Sequence, residues 1–178
     1  MNEDVEKILI SAEAIERRLC ELAAQITSDY SGRELTVLAL LNGSFLLLAD
    51  LLRKIPLPLQ LDCLSVSSYH GSTASSGMIT FRQHPLPDLS GRHVLVLDDI
   101  LDTGLTLRSV LEKLRETPSI QSLRTCVLLQ KNIPRPDGIR ADYVGFEIGN
   151  EFVVGYGLDY KEKYRNLPYI GVLKPSAI

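Results

Sequence analysis

Cysteine is scarce in this chain, and its spacing suggests no pairing. Cys20, Cys63 and Cys126 lie far apart, are odd in number and include no C-x-x-C run, so neither a zinc knuckle nor a disulfide framework is indicated. Each stands among apolar residues, as a small buried hydrophobe does in a reducing compartment. An excess of positive charge is also missing. Against 22 Asp and Glu there are 19 Lys and Arg, a formal net charge of −3. That leaves no electrostatic footprint for a large nucleic acid surface. The three histidines, His70, His84 and His93, share no metal-ligand spacing. The opening MNEDVEKILI lacks the basic start and long apolar stretch of a signal peptide. The most apolar window, Leu35 to Leu52, has membrane length, but Asn42-Gly43-Ser44 cuts it and Asp50 interrupts its second half. It reads as a buried strand followed by a helix. The expectation is a cytoplasmic protein with no membrane and no nucleic acid partner.

The chain does have enough apolar residues for a core. At 178 residues, 45% hydrophobic and 23% charged, a single domain can bury roughly 70% of its unfolded surface. No repeat or Gly/Ser/Pro-rich linker divides it. Ile15, Leu19, Leu22 and Ile26 step along one helical face, and Ser31-Gly32 ends that helix. Apolar runs at 35–41, 61–67, 93–97, 123–129 and 143–148 read as strands. Several lack clean alternation, as strands covered on both faces do. Helices are expected at 45–53 and 105–115, the second from Leu107, Val110, Leu111 and Leu114. A short hairpin strand is expected at 78–82. This alternation predicts an α/β fold with a central, mostly parallel sheet flanked by helices. Ligands in such sheets sit beyond the carboxyl ends of the strands.

One such end stands out. The run His93-Val-Leu-Val-Leu meets two carboxylates, Asp98 and Asp99, and Asp102-Thr103-Gly104-Leu105-Thr106 then turns into an amphipathic helix. Gly104 lets the backbone come close, the helix start offers free N–H groups, and two threonine hydroxyls can donate, which together make an anion cradle. Capping by Asp102 or Thr103 would account for one such residue. It would not account for adjacent aspartates at a strand end, where repulsion and β-propensity both oppose them. Paired carboxylates beside a phosphate cradle suit sugar hydroxyls, a hydrated Mg²⁺, or both. A sugar phosphate satisfies every part.

LDDILDTGLT resembles the phosphoribosyl pyrophosphate (PRPP) motif of type I phosphoribosyltransferases. The stretches LNGSFLLLADLLR, VSSYHGST, LLQK and DYVGFEIGNEFVVGYGLDYKEKYRNLPYIGVL extend the resemblance almost end to end, toward the bacterial hypoxanthine (hypoxanthine-guanine) phosphoribosyltransferases. FVVGYGLDY and YRNLPYIG carry the 6-oxopurine branch specifically. The resemblance implies a single phosphoribosyltransferase domain over residues 1–178, with a core at about 33–150 and a small hood from about 1–32 and 151–178. It implies Mg²⁺-dependent transfer from PRPP to hypoxanthine or guanine in purine salvage, giving IMP or GMP and pyrophosphate. A homodimer or homotetramer is implied as well.

Residue by residue, the resemblance makes Asp98 and Asp99 holders of the ribose hydroxyls, partly through the metal. Asp102 becomes the general base near the purine N7. Thr103, Gly104, Leu105 and Thr106 wrap the 5′-phosphate. Lys131 reaches the purine O6, Phe152 stacks on the base, and the Val153 backbone bonds its edge. Asp159 binds a second Mg²⁺ with pyrophosphate, and Arg165 contacts pyrophosphate. Asn42 and Gly43 form the pyrophosphate loop, where the family usually has Lys in place of Asn42; Ser44 as a plain helix cap is the other reading of that turn. Ser68 and Tyr69 belong to a lid, with a plain surface loop as the alternative. Two rival functions stay open at this point: a regulatory PRPP-binding protein of the same fold, and a phosphoribosyltransferase acting on another base.

Overall fold

The computed structural model describes residues 2–68, 79–81, 88–135 and 138–177. Its strands and α-helices run β1 (Val5–Ile10), α1 (Ala12–Asp29), β2 (Leu35–Leu41), α2 (Phe45–Leu52), β3 (Leu59–Ser68), β4 (Ile79–Phe81), β5 (His93–Leu101), α3 (Leu105–Arg115), β6 (Ser122–Lys131), β7 (Tyr143–Ile148), β8 (Val153–Val154) and β9 (Ile170–Leu173). Strands β3, β2, β5, β6 and β7 lie side by side in that order, each parallel to its neighbour. The short β4 adds antiparallel to the outer side of β3. This is the expected α/β architecture, and the expected hairpin strand is the shorter β4.

The apolar strand sequences follow from a sheet covered on both faces. In β2, Val37 and Ala39 pack in one cluster with Ile15, Leu19, Leu22 and Ile26 of α1 and Leu47, Leu48 and Leu51 of α2. Their neighbours Leu38 and Leu40 pack on the opposite side with Leu107, Val110, Leu111 and Leu114 of α3. Successive side chains of a strand point to opposite faces, so each residue of β2 has a helix to meet. Burying each such Leu or Val is worth about 1.5–3 kcal/mol. Ser11 starts α1 by accepting from the Ala14 N–H at 3.3 Å.

A second sheet was not read from the sequence. It has three antiparallel strands in the order β1-β9-β8, joining the two ends of the chain. Val154, Tyr164, Leu167 and Leu173 form a small core of their own beneath it, with Val5, Tyr160 and Tyr169 packed around them. The segment 1–32, expected in the hood, divides its packing: β1 joins this small sheet, while the apolar face of α1 covers the large one. The Tyr156 hydroxyl donates to Asp50 of α2 at 2.6 Å and ties the carboxyl-terminal segment to the core.

After β2 the chain crosses to β3 on one side, and after β5 it crosses to β6 on the other. The crossovers therefore part between β2 and β5. A crevice at such a parting is where open α/β sheets bind ligands. Among the described residues, no helix is long and apolar enough to cross a membrane.

The edge strand β7 is held from α1. Arg18 donates through Nε to the Gly145 carbonyl and through Nη2 to the Val144 carbonyl, both at 2.8 Å. Charged hydrogen bonds of this kind contribute roughly 1.5–3 kcal/mol. R18A should lower the urea midpoint by an equivalent amount with m unchanged; an unmoved midpoint would remove α1 as the clasp of β7.

Candidate active site

The two aspartates lie within β5, which continues past them to Leu101. The apolar run ends at Leu97, yet the strand goes on, and its pairing gives the reason. Pairing with β2 stops at Ala39 opposite Leu97, whereas pairing with β6 goes on through Asp98, Ile100 and Leu101. The carboxylates thus follow immediately where β5 loses β2 as its neighbour; β2 itself stays paired with β3 through Leu41 and then enters the turn Asn42-Gly43-Ser44. That turn comes very close: a Cβ added at Gly43 would fall 1.6 Å from Asp99 Oδ2. Only glycine lets the backbone lie there. Ser44 does not cap α2 with its side chain; its hydroxyl donates back to the Leu40 carbonyl. The Leu41–Asn42 peptide is cis.

Both carboxyls hold protons more tightly than usual. Burial, then the neighbouring charge of Asp99, pushes Asp98 well above the ordinary range. Burial also raises Asp99, against the opposing effects of hydrogen bonds with Asp98 and the Ile100 N–H and of the Arg165 guanidinium. Asp98 accepts from the Asp99 N–H at 3.0 Å, and Asp99 from the Ile100 N–H at 2.7 Å. Such a pair favours any cation brought beside it. Among the described residues no cluster of three or more His, Cys, Asp or Glu converges. Mg²⁺ does not require one, since it commonly takes one or two carboxylates together with waters and substrate phosphates. The oxygen donors of Asp98 and Asp99 fit that pattern.

Next along the chain is the cradle. Gly104 is the N-cap of α3, at φ +86°, and no side chain caps the helix. The first helical bond of the turn runs from the Arg108 N–H to the Gly104 carbonyl at 2.9 Å. The amides of Leu105 and Thr106 are therefore not consumed by an Asp or Thr cap and remain available to an anion. A Cβ at Gly104 would come within 2.6 Å of Ile139 Cγ2, so the turn is pressed down onto the loop after β6. Thr103 and Leu105 are exposed at its rim.

Asp102 reaches across to β6. The Lys131 ammonium, buried at the carboxyl end of that strand, lies 2.8 Å from Asp102 Oδ2. Lys131 pairs with Ile148 of β7, and Phe152 follows four residues later. The Phe152 ring is exposed and meets Tyr160 edge-on at 5.4 Å, while Val153 is buried and paired with Val172. Phe152 and Val153 thus follow closely from the strand end that pairs with Lys131.

The remaining residues come from the carboxyl-terminal segment. Arg165 Nη2 lies 2.8 Å from Asp159 Oδ1, and Arg165 Nη1 donates to the Gly157 carbonyl at 2.8 Å. Gly157 has φ +99°, and a Cβ there would fall 2.0 Å from the Gly43 carbonyl oxygen. The hood is thereby set directly on the turn that covers Asp99. Sequence reasoning missed Gly157 and Arg135. Arg135 follows Lys131 by four residues, a cation just past a strand end on the ligand side, and that was the signal available for it. Of the lid residues, Tyr69 lies outside the described residues, as do His70 and His84; Ser68 closes β3 opposite Ile79.

These features can be set against known proteins. Residues 6–161 match the model of the phosphoribosyl transferase domain. The hypoxanthine-guanine phosphoribosyltransferase of Streptococcus pneumoniae is 47% identical over 174 residues, covering 98% of this chain and 96% of that protein. The chain belongs to the hypoxanthine-guanine phosphoribosyltransferase family. The Bacillus subtilis member is 44% identical over 176 residues, covering 99% of this chain and 97% of that protein. A crystal structure of a hypoxanthine phosphoribosyltransferase from Staphylococcus aureus superposes with a TM-score of 0.93 at 44% identity, covering 99% of this chain and 96% of that one.

Within this family fold the raised pKa of Asp98 has a stability consequence. Between the ordinary value of 3.8 and its raised folded value, Asp98 binds more protons folded than unfolded, so stability falls as pH rises through that window. Asn at this position keeps the acceptor for the Asp99 N–H and removes the charge. Without ligand or divalent cation at pH 7, D98N should raise Tm by roughly 2–4 °C, which is what ~1 kcal/mol amounts to in a domain of this size. It should also flatten the pH dependence. A Tm that is unchanged or lower at pH 7 would contradict the repulsion ascribed to this pair.

Proposed function

We propose that this protein transfers the 5-phosphoribosyl group of PRPP to hypoxanthine or guanine, forming IMP or GMP and releasing pyrophosphate in purine salvage. The observation that carries the reading is the Asp102–Lys131 pair, 2.8 Å apart at the head of an uncapped helix. An acceptor beside a buried cation matches one edge of a 6-oxopurine, with its N7 proton and its O6.

The chemistry assigned to each residue follows from that placement. As the anomeric C–O bond breaks with oxocarbenium character, N9 of the purine bonds to the anomeric carbon and the N7 proton passes to Asp102. Such a positioned base contributes ~10²–10⁴-fold. Lys131 stabilises negative charge growing on O6. It also rejects adenine, whose amino group would leave the ammonium facing a donor, at a cost of about 1–3 kcal/mol. Backbone amides of Thr103, Gly104, Leu105 and Thr106 take the 5′-phosphate. Phe152 stacks on the base while the Val153 backbone bonds its edge. Asn42, Gly43 and Arg165 hold the departing pyrophosphate, and Ser68 and Tyr69 close over the reacting centre to exclude water.

Asp98 and Asp99 hold the ribose diol and one Mg²⁺, and Asp159 takes part in holding a second. When bound, the metal supplies positive charge that stabilises the leaving pyrophosphate. The protein is placed in the cytoplasm, where its three free cysteines stay reduced, as a homodimer or homotetramer on the family likeness. A regulatory PRPP-binding role is not favoured, because relatives 44–47% identical over nearly the whole chain are named as enzymes.

Two measurements test this. A purine panel with PRPP and Mg²⁺ should release pyrophosphate with hypoxanthine or guanine and poorly with adenine; silence with every 6-oxopurine would overturn the proposal. D102N should lower kcat by ~10²–10⁴-fold while leaving PRPP affinity within a few-fold, since the phosphate amides are untouched. An undiminished kcat would reject Asp102 as the base.

A further inference from the structure

The loop after β6 carries a cation that none of the assignments above uses. Arg135 is partly buried, and its guanidinium donates to three backbone carbonyls: Nε to Asp102 at 2.7 Å, and Nη2 to Leu101 at 2.8 Å and to Lys131 at 2.6 Å. These acceptors lie at the ends of two different strands. The last pair joining β5 to β6 is Leu101 opposite Gln130. Beyond it the ladder stops, and Arg135 takes over the connection. The two residues it links are the ones whose side chains meet at 2.8 Å, Asp102 and Lys131.

We infer that Arg135 is a positioning residue, whose planar fork fixes the backbone under Asp102 relative to the backbone under Lys131 and so sets the separation of the two groups that face the purine. The inference rests on the proposed reaction, since it assigns the pair to one substrate edge. A guanidinium is suited to this because its donors lie in one rigid plane; a lysine at the same place would offer a single swivelling head. Asp102 stands on a turn rather than in a strand, so without the fork nothing in the sheet ladder holds it. A misplacement of 1 Å at a reacting group can cost about 10²-fold in rate.

The arginine stem has a separate task. Its Cδ lies 3.5 Å from where a Cβ on Gly104 would be, so the stem supports the phosphate turn from beneath. R135M keeps an apolar stem of similar reach and removes the fork, which separates the two effects. In R135M, kcat should fall about 10–100-fold and the purine KM should rise several-fold, with the PRPP KM within about threefold of wild type. R135K, which keeps charge and stem but not the fork, should fall between the two and carries the test where R135M does not fold. Ethylguanidinium at millimolar concentration should restore part of the kcat lost in R135A.

R135M with kcat and purine KM within about twofold of wild type would overturn the inference. So would a loss that strikes both KM values alike, follows Tm and ignores ethylguanidinium, since that is the mark of general destabilisation. The wild-type control separates the two levels. A wild type inert toward hypoxanthine and guanine removes the proposed function and this inference with it, whereas an active wild type with an unmoved R135M removes this inference alone.

Discussion

The site depends on one close approach, the backbone of Gly43 lying against the carboxylate of Asp99. It arises because β2 stops pairing with β5 at Leu97, staying on β3 as far as Leu41, while β5 continues along β6. The gap so opened is filled from above by the turn at residues 42–44. The hood rests on the same turn through Gly157, whose own Cβ position would overlap the Gly43 carbonyl. Two glycines in series thus bring a loop of the large sheet, the half-buried Asp99 and the carboxyl-terminal segment within contact distance. A side chain at either place would push them apart, and Arg165, bonded to the Gly157 carbonyl, would move with the hood.

This packing has an electrostatic side. The chain is acidic overall and nevertheless presents a cradle suited to anions. The two requirements are reconciled locally. The uncapped start of α3 leaves amides facing outward, and Lys131 and Arg165 are each held by a carboxylate, Asp102 and Asp159 respectively. Among the described residues Asp98 and Asp99 form no ion pair of this kind, and burial raises the proton affinity of both. Burial of like charges is a cost to the folded state, of the kind active sites carry because their groups are set for a ligand rather than for stability.

The sequence was informative wherever packing is local and periodic. The α1 face of Ile15, Leu19, Leu22 and Ile26, the limits of α3, and the strands at 35–41 and 143–148 follow from patterns a few residues long. The aspartate pair and the glycine turn were legible because they break those patterns. What was not legible is what joins distant segments. β8 has two residues, too few for any alternation, and β1 carries charges through its middle, so neither announces a strand without its partner. Gly157 matters because of Gly43, more than a hundred residues earlier. Arg135, on the loop after β6, bonds a carbonyl at Leu101, at the end of β5. A side chain bonded to backbone atoms leaves no trace in the partner's residue type, so reading identities alone could not pair them.

The two ends of the candidate site are built differently, and the difference suits what the proposed reaction would ask of each. On the side of Gly43, Gly157 and Arg165, contact is mostly backbone against backbone, which suits a highly charged group recognised by amides and a guanidinium without regard to its fine outline. On the side of Asp102 and Lys131, two side chains face each other across a strand gap, and under the proposed reaction selectivity would depend on their spacing, because an unmatched buried donor would reject the wrong base. A gap between strands that no longer pair would drift. The tie at that gap is a rigid planar group bound to the backbone of both sides. Fixing the main chain leaves the ammonium and carboxylate free to exchange their mutual contact for a ligand, while their starting positions stay set.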